Sequence, residues 1–502
     1  MFVSNKEIKE HSTGDSNSSS YRSILKATSL FGGVQVYQIL IQIIRSKFIA
    51  ILIGPLGVGI IGLYTTALDV FKRLTSLGLA QSAVRDVSAA YGTGVIEKVT
   101  KVSAVISKLV WVTGLLGTCV VLLFSPVISK TTFGCYDYIV PISILSITLL
   151  FDQLSAGQMV LLQGTRRLRD LAKSSALGVT IGLIVSVPIY YIWNINGIVP
   201  TLLISSITSL ILTWYYSKRI NIPKIRISIK EAFVQAGTMI KMGIALCLSS
   251  VLVAINAYAI RGFIRFIDGA EMVGLYSAGA AITTTYVGMV FSAMSTDFYP
   301  RLAAVCNDDV SSKRIVNQQG EIAALILGPL ILLCVVYMPL IIRILYSEKF
   351  IPASDYIMLA AVGMMFRLPA WLSSVQFIAK GMARYFTLNE TISGLYNLVI
   401  SIIGYWLGGL VGLGISFIIF NLVYFIHMYI MTRVHFKFSF NSDFSKVFVL
   451  QTVFIIAALV LSLVFSNITR YVVGGCLAVI VLILSFRGLS KRLGMNLLKR
   501  NI

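Results

Sequence analysis

The sequence predicts an all-α, polytopic membrane protein of about 14 transmembrane helices, organised as two parallel six-helix repeats plus two extra C-terminal helices. Three observations carry that prediction. Of the 502 residues, 57% are apolar and only 12% are charged, half the roughly 25% charge of a soluble chain. Apolar runs of membrane-spanning length recur from end to end with short polar breaks. The two halves also share residues in the same order at a nearly constant offset. Such a composition excludes a soluble globular enzyme and a disordered scaffold.

Residues 1–23 are rich in Ser and Asn and precede any apolar run, so they read as a disordered cytoplasmic tail and not as a signal peptide. Crossing about 30 Å of hydrocarbon takes roughly 20 apolar residues. Six such segments, near 24–52, 56–82, 102–125, 138–163, 172–193 and 196–217, form an N-lobe over 24–217. A basic cytoplasmic linker follows at 218–235. Six more, near 236–264, 271–297, 319–346, 353–379, 387–408 and 410–432, form a C-lobe over 236–435. A final pair near 447–466 and 470–487, within a 447–487 segment, leads into a basic cytoplasmic tail at 488–502. Breaks such as Asn194-Ile195-Asn196-Gly197 leave no room for a soluble domain. Gly54-Pro55-Leu56-Gly57 and Gly328-Pro329, near span ends, can mark hinges or breaks, and an ordinary turn explains the first equally well. Ile225-Arg226-Ile227-Ser228-Ile229-Lys230 alternates like a strand, with no partner strand in view.

Lys and Arg number 42 against 20 Asp and Glu, a net charge of +22. An even number of spans puts both termini on one side, and the positive-inside rule makes that side the cytoplasm. About 29 of the basic residues then fall on inner segments, among them Arg166, Arg167, Arg169, Lys173, Lys218 and Arg219. Lys130, Lys349 and Arg470 fall on outer loops. The excess therefore encodes topology and does not call for nucleic acid. The 6 cysteines are scattered and form no CxxC pair, so neither a disulfide framework nor a metal site is expected, and no cofactor. His427, on an apolar helix, reads as a packed residue.

The internal repeat rests on five matches. Ile44-Arg45 recurs as Ile260-Arg261, shifted by 216, and Gly62-Leu63-Tyr64 as Gly274-Leu275-Tyr276, shifted by 212. Val84-Arg85 corresponds to Pro300-Arg301, shifted by 216, and Phe151-Asp152 to Phe366-Arg367, shifted by 215. Gly164 with Arg167 recurs as Gly381 with Arg384, shifted by 217. Six spans per unit give both copies the same membrane orientation, as in parallel-repeat transporters, with a substrate site expected between the lobes.

Ionisable groups inside spans cost at least about 2.5–3.5 kcal/mol at the bilayer centre and usually face a cavity or a partner. Helix one carries Arg45 and Lys47, helix two Asp69, Lys72 and Arg73, and helix four Asp152. Helix seven carries Lys241, Arg261 and Arg265, and helix ten Arg367. Glu321, Asp355 and Glu390 read as first-turn acids and are set apart. Arg45, Lys47, Arg261, Arg265 and Arg343 lie near outer helix ends, from which they can snorkel to the interface; Lys241 lies near an inner end. Lys72, Arg73 and Arg367 lie near mid-span, where water, a partner or a ligand must solvate them. Read functionally, Arg45, Lys47, Lys72, Arg73, Arg261 and Arg367 line a positive cavity. Guanidinium groups offer paired donors to phosphate oxygens and Lys a mobile point charge. A lipid-linked diphosphate suits that lining; a cationic drug or sodium as main cargo does not. Asp69 shares a helix face with Lys72 and Arg73, and serves either as their internal partner or as an ion-coupling site. Asp152 and Arg367 hold corresponding repeat positions and are candidates for an inter-lobe ion pair.

Several stretches resemble a known family. Arg45-Ser46-Lys47-Phe48-Ile49-Ala50 leading into Gly54-Pro55-Leu56-Gly57-Val58-Gly59 is similar to the opening of Wzx-type O-antigen and polysaccharide flippases. Phe298-Tyr299-Pro300-Arg301-Leu302, Ser347-Glu348-Lys349-Phe350 and Ala379-Lys380-Gly381 are similar to the same family, and the likeness spans most of 24–435. The resemblance implies the multidrug/oligosaccharidyl-lipid/polysaccharide exporter superfamily, with two six-helix lobes forming a V-shaped cavity. It implies transfer of undecaprenyl-diphosphate-linked oligosaccharide from the inner to the outer leaflet of a bacterial plasma (inner) membrane. Related lipid II flippases place an arginine where Arg45 stands and a basic pair where Lys72-Arg73 stand, which implies diphosphate contact there. They also have fourteen helices, whereas many sugar-lipid exporters have twelve. The partners expected with that role are the lipid-linked oligosaccharide, membrane lipid, H+ or Na+ as counter-ion at Asp69 or Asp152, and a polysaccharide polymerase with its chain-length regulator.

Two rivals predict different residues. A drug/cation antiporter of the same superfamily predicts acidic cavity residues, whereas bases outnumber acids at depth here. A membrane glycosyltransferase or polymerase needs a sizeable outer loop with catalytic groups, and the outer segments are too short to supply one. No GxxxxGK[ST] sequence is present, so a transporter, not an ATP-driven enzyme, is expected.

Overall fold

The computed structural model describes residues 33–223, 225, 227–465 and 468–492. The N-terminal tail, the start of the first span, Lys224, Arg226 and the tail beyond Arg492 lie outside the described residues. Within them the regular structure is helical, with no strand. Helices α1 (Gly33–Leu52) and α2 (Gly54–Ser76) are followed by α3 (Leu79–Gly92), α4 (Ile96–Phe133), α5 (Ile139–Gly164), α6 (Leu168–Trp193) and α7 (Ile198–Lys218). Then come a short α8 (Ile229–Gln235), α9 (Gly237–Ala280), α10 (Gly288–Ala304), α11 (Asp309–Leu345), α12 (Ser354–Ala379), α13 (Ala383–Phe436), α14 (Ser442–Val464) and α15 (Ile468–Arg492).

Eleven helical runs among the described residues are long and apolar enough to cross a membrane. Three of them, of 51, 55 and 54 residues over Leu168–Lys218, Ser250–Ala304 and Ala383–Phe436, are each long enough for two crossings at a rise of about 1.5 Å per residue. Each is interrupted once, by the Asn194–Gly197 turn, by Gly269 and by Gly408-Gly409. Counting each of those as two gives the fourteen spans that the sequence predicts.

The duplication is written into the backbone. Gly54 and Gly269 both have left-handed φ, +62° and +85°. So do Arg166 and Gly381, at 57° and 73°, and Asn194 and Gly409, at 51° and 56°. All three pairs are separated by the same interval of 215 residues, the interval that relates Asp152 to Arg367. They mark the turns after the first, fourth and fifth spans of each repeat. The repeat-related helices also meet symmetrically. A Cβ on Gly59 would lie 1.8 Å from the Ala270 carbonyl oxygen, and one on Gly274 would lie 1.9 Å from that of Pro55. Since 270 and 274 are 55 and 59 advanced by 215, this is a two-fold crossing in which only glycine lets the backbones approach. The 212-residue match of Gly62-Leu63-Tyr64 is therefore off register by three residues, nearly one helical turn.

Among the described residues the chain clusters into two compact units. One takes the residues up to Leu52 with Ala67–Val251, the other Ile53–Thr66 with the residues from Leu252 on. The first part of α2 thus packs within the second unit and its remainder within the first. In the first unit, Leu79, Val87, Leu109, Val110, Val160 and Met239 form a buried core. In the second, α12 is the most enclosed span, with Phe377 and Leu368 fully buried.

Three local expectations need correction. The alternating stretch at 225–230 does not extend into a strand. Ser228 is the N-cap of α8, its hydroxyl accepting the Glu231 amide at 3.1 Å, so the chain turns into a helix there. Gly328-Pro329 is not a hinge; α11 runs through it, and Gly328 makes room for the Gln451 side chain of α14. The break in α11 lies instead at Tyr337, two residues before Pro339. Proline has no N–H for the carbonyl four residues earlier, Val335. Arg470, expected on an outer loop, fills that gap: it is only 7% exposed and donates to the Val335 oxygen at 2.8 Å and the Val336 oxygen at 3.0 Å. At the other end of α15, Arg492 donates to Glu321 of α11 at 2.6 Å. Helix α15 is thereby tied to α11 at both ends.

Candidate functional site

In the first unit, α2 brings Asp69, Lys72 and Arg73 onto neighbouring faces one turn apart, as their spacing requires. They do not remain one cluster. Arg73 Nε donates to Asp69 Oδ2 at 2.8 Å, an i,i+4 pair. Lys72 Nζ instead donates to Asp152 Oδ2 of α5 at 2.7 Å. The other Asp152 oxygen accepts from Ser206 of α7 at 2.7 Å. All four charged side chains keep between 33% and 40% exposure, so solvent screens these pairs and each contributes at most about 1 kcal/mol. Their geometric effect is larger than their energy: the positive and negative charges of α2 and α5 cancel pairwise.

Arg45 has a different environment. From α1 it lies against Gly182 of α6, where a Cβ would stand 3.5 Å from its Nη1. Buried Tyr190 is within electrostatic reach. The Arg45 Nε is sealed from solvent and has no hydrogen-bond acceptor. Lys47, on the same helix, is half-buried. A guanidinium held this way, with an unfilled donor and no carboxylate in ion-pairing range, presents net positive charge.

The second unit repeats this theme with different residues. Arg261 of α9 donates to the Ser277 hydroxyl and to the Ala257 carbonyl, both at 3.3 Å. Its guanidinium lies over Tyr276 at 5.2 Å, and that ring packs on Tyr356 at 5.7 Å. Hydroxyl, carbonyl and ring face orient the cation without neutralising it. Arg367 of α12 is exposed and within electrostatic reach of Glu390 and Tyr424 of α13. Tyr424 donates to the Glu390 carboxylate. Among the described residues, no carboxylate lies within ion-pairing distance of Arg45, Arg261 or Arg367.

The six expected bases thus divide. Lys72 and Arg73 are paired with acids, Lys47 is half-buried on α1, and Arg45, Arg261 and Arg367 have no carboxylate within ion-pairing distance among the described residues, Glu390 acting on Arg367 only at longer range. Sequence reasoning missed the contact of Ser206 with Asp152 and those of Gly182 and Tyr190 with Arg45, all made between helices far apart along the chain, and also the nearer contacts of Tyr276 and Ser277 with Arg261, which no motif marks. It also set Glu390 aside as a first-turn acid because it started the helix at 387; α13 begins at Ala383, placing Glu390 about two turns in. Among the described residues no group of His, Cys, Asp or Glu could hold a metal ion.

Comparison with known proteins gives three likenesses. The family model described as polysaccharide biosynthesis protein matches residues 24–305. A Shigella flexneri protein named as a candidate O-antigen transporter is 24% identical over 356 residues, covering 68% of this chain and 82% of that one. Among solved structures, the lipid II flippase MurJ in an inward closed conformation superposes with a TM-score of 0.70 at 15% identity, over 92% of this chain and 99% of that one. An inward-facing multidrug resistance MATE family transporter of the MOP superfamily gives 0.65 at 13% identity, over 80% and 94%. At such identities the structural likeness speaks to the fold, and that fold is the MOP transporter fold.

Proposed function

The chain belongs to the polysaccharide biosynthesis protein family, whose model matches more than half of it, and from that premise we propose that it is a flippase for a lipid-linked saccharide. The cargo we assign is an undecaprenyl-diphosphate-linked oligosaccharide, an O-antigen or related surface-polysaccharide unit. The observation that carries this reading is the set of bases without anionic partners, Arg45, Arg261 and Arg367. An anion with several phosphate oxygens supplies an acceptor to the unfilled Arg45 Nε and a counter-charge to all three guanidinium groups. A cation antiporter would need free acids, whereas Asp69 and Asp152 are tied to Arg73 and Lys72. Lys47, Lys72 and Arg73 join the diphosphate site in this reading, the last two by exchanging their carboxylates for phosphate, which would free Asp69 and Asp152 to take up a proton or sodium ion.

Transport proceeds by alternating access between the leaflets of the inner membrane, with both termini cytoplasmic and the isoprenoid tail remaining in lipid. An inside-negative potential favours outward movement of an anion by about 2.3 kcal/mol per charge per 100 mV. The test is reconstitution in proteoliposomes with a fluorescent undecaprenyl-diphosphate sugar, reading outer-leaflet exposure. Neutralising Arg45 and Arg261 together should reduce flipping more than neutralising Lys72 and Arg73 together. Unchanged flipping in the Arg45→Gln/Arg261→Gln variant would mean that these bases do not bind the cargo.

A further inference from the structure

The turns that end α5 and α12 are the same structure built from different residues. Arg166 N donates to the Gln163 carbonyl at 3.0 Å and Arg167 N to that of Leu162 at 2.9 Å. At the positions 215 residues later, Gly381 N donates to the Ile378 carbonyl at 3.0 Å and Met382 N to that of Phe377 at 2.8 Å. Both are Schellman caps, in which the left-handed position is normally glycine. The second repeat has glycine there, at φ +73°. The first has Arg166 at φ 57°, a conformation that strains any residue with a Cβ. A charge that serves only membrane topology works anywhere in the turn and does not need the single position where glycine is favoured. Strain retained against an available alternative points to function.

The surroundings say which function. Leu162 of α5, Leu171 of α6 and Tyr216 of α7 form one buried cluster, so the ends of these three helices are adjacent. Around them stand exposed Arg166, Arg169, Lys173, Lys218 and Arg219. Asp170 is the nearby acid, in electrostatic reach of Arg219 and already 3.6 Å from Arg167. The cations are held by aromatic rings at the helix end: Arg219 lies over Tyr215 at 4.6 Å and Tyr216 at 5.1 Å, and Lys218 over Trp214 at 5.2 Å. Trp214 and Tyr215 are each half exposed, as aromatic residues at a membrane–water interface are. Advancing each position by 215 gives Gly381, Arg384, Leu388, Arg433 and Val434, so the second repeat lacks three of the five charges.

We propose that this end of the first unit, formed by the α5–α6 turn and the α7 terminus, is a binding surface for the anionic headgroup of a membrane phospholipid. In the orientation the positive-inside rule predicts, it faces the cytoplasmic leaflet. The phosphodiester accepts from Arg166 and Arg219, and Trp214 and Tyr215 lie along the glycerol and upper acyl chains. This assignment stands apart from the cargo and does not depend on flipping.

The experiment is native mass spectrometry of the full chain in mild detergent, titrated with dioleoyl phosphatidylglycerol or dioleoyl phosphatidylcholine. Phosphatidylglycerol should be retained in preference, and less so as salt rises. Arg166→Gly should weaken its retention about fivefold without lowering the melting temperature, since glycine relieves the strained cap. Arg166→Lys should keep the lipid, and Arg169→Gln/Arg219→Gln should weaken it further. Gly381→Arg should lower the melting temperature without adding lipid. Equal retention of both phospholipids, or unchanged phosphatidylglycerol binding in Arg166→Gly and in the double variant, would overturn the proposal. Preferential retention of undecaprenyl diphosphate over phosphatidylglycerol would also overturn it, by reassigning the surface to the cargo.

Discussion

Arg470 offers a quantitative test of how the last two helices are held. Its guanidinium donates to the carbonyls of Val335 and Val336, and to the Met358 sulfur at 2.9 Å. The Val335 carbonyl lacks its helical donor because residue 339 is proline. Hydrogen bonds from a charged donor contribute about 1.5–3 kcal/mol each, and at 7% exposure water cannot easily replace them. Arg470→Met should therefore cost about 3 kcal/mol, read as a lower midpoint of thermal unfolding in detergent. Pro339→Ala returns an N–H to the Val335 carbonyl, so in that background Arg470→Met should cost less by about 1–2 kcal/mol. The double-mutant cycle isolates the term. Strictly additive effects would refute the idea that Arg470 compensates for the proline, and would leave it an ordinary packed residue.

Three further outcomes follow from the same geometry. Removing either partner of the Lys72–Asp152 pair should cost no more than about 1 kcal/mol of stability at this exposure, with Lys72→Met/Asp152→Asn costing less than the sum, as a thermal-unfolding cycle will report. Gly59→Ala and Gly274→Ala each drive a methyl into a facing carbonyl, and each should destabilise by about 1–3 kcal/mol, their effects falling short of additive because one helix separation relieves both. Asp308 caps α11, and hydrogen bonds from Ser311, side chain first and then amide, with the Val310 amide, hold its carboxyl below the ordinary value. A lowered folded-state value gives stability that is present above the unfolded value of about 3.9 and lost as pH falls through the folded one. Asp308→Ala should lower stability at neutral pH and flatten that part of the acid-unfolding profile, the variant and the parent converging as pH falls through the folded-state value.

How much of this was legible in advance depends on the range of the interaction. Span number is set by hydropathy within each segment and the duplication by residues repeated in order, which is why fourteen segments could be counted from one chain, whereas helix ends, such as the start of α13 at Ala383, were not legible. Asp69 with Arg73 was legible too, because i,i+4 geometry is local. Lys72 with Asp152 was not, since its partner lies 80 positions away on another helix and nothing in either neighbourhood marks it.

Composition, charge and periodicity by themselves determined that this chain is a two-repeat, all-helical membrane protein with a surplus of intramembrane bases. Only the tertiary structure decided which of those bases are neutralised, that Arg470 closes a gap opened by Pro339, and that the repeats are registered by 215 residues. It alone showed that Arg166 occupies a glycine's conformation. The physical reason is the same in each case. Hydrophobic spans are chosen by residue type within one segment, whereas the partner of a buried charge or an orphan carbonyl is chosen by distance in space, and the packing of whole helices sets that distance.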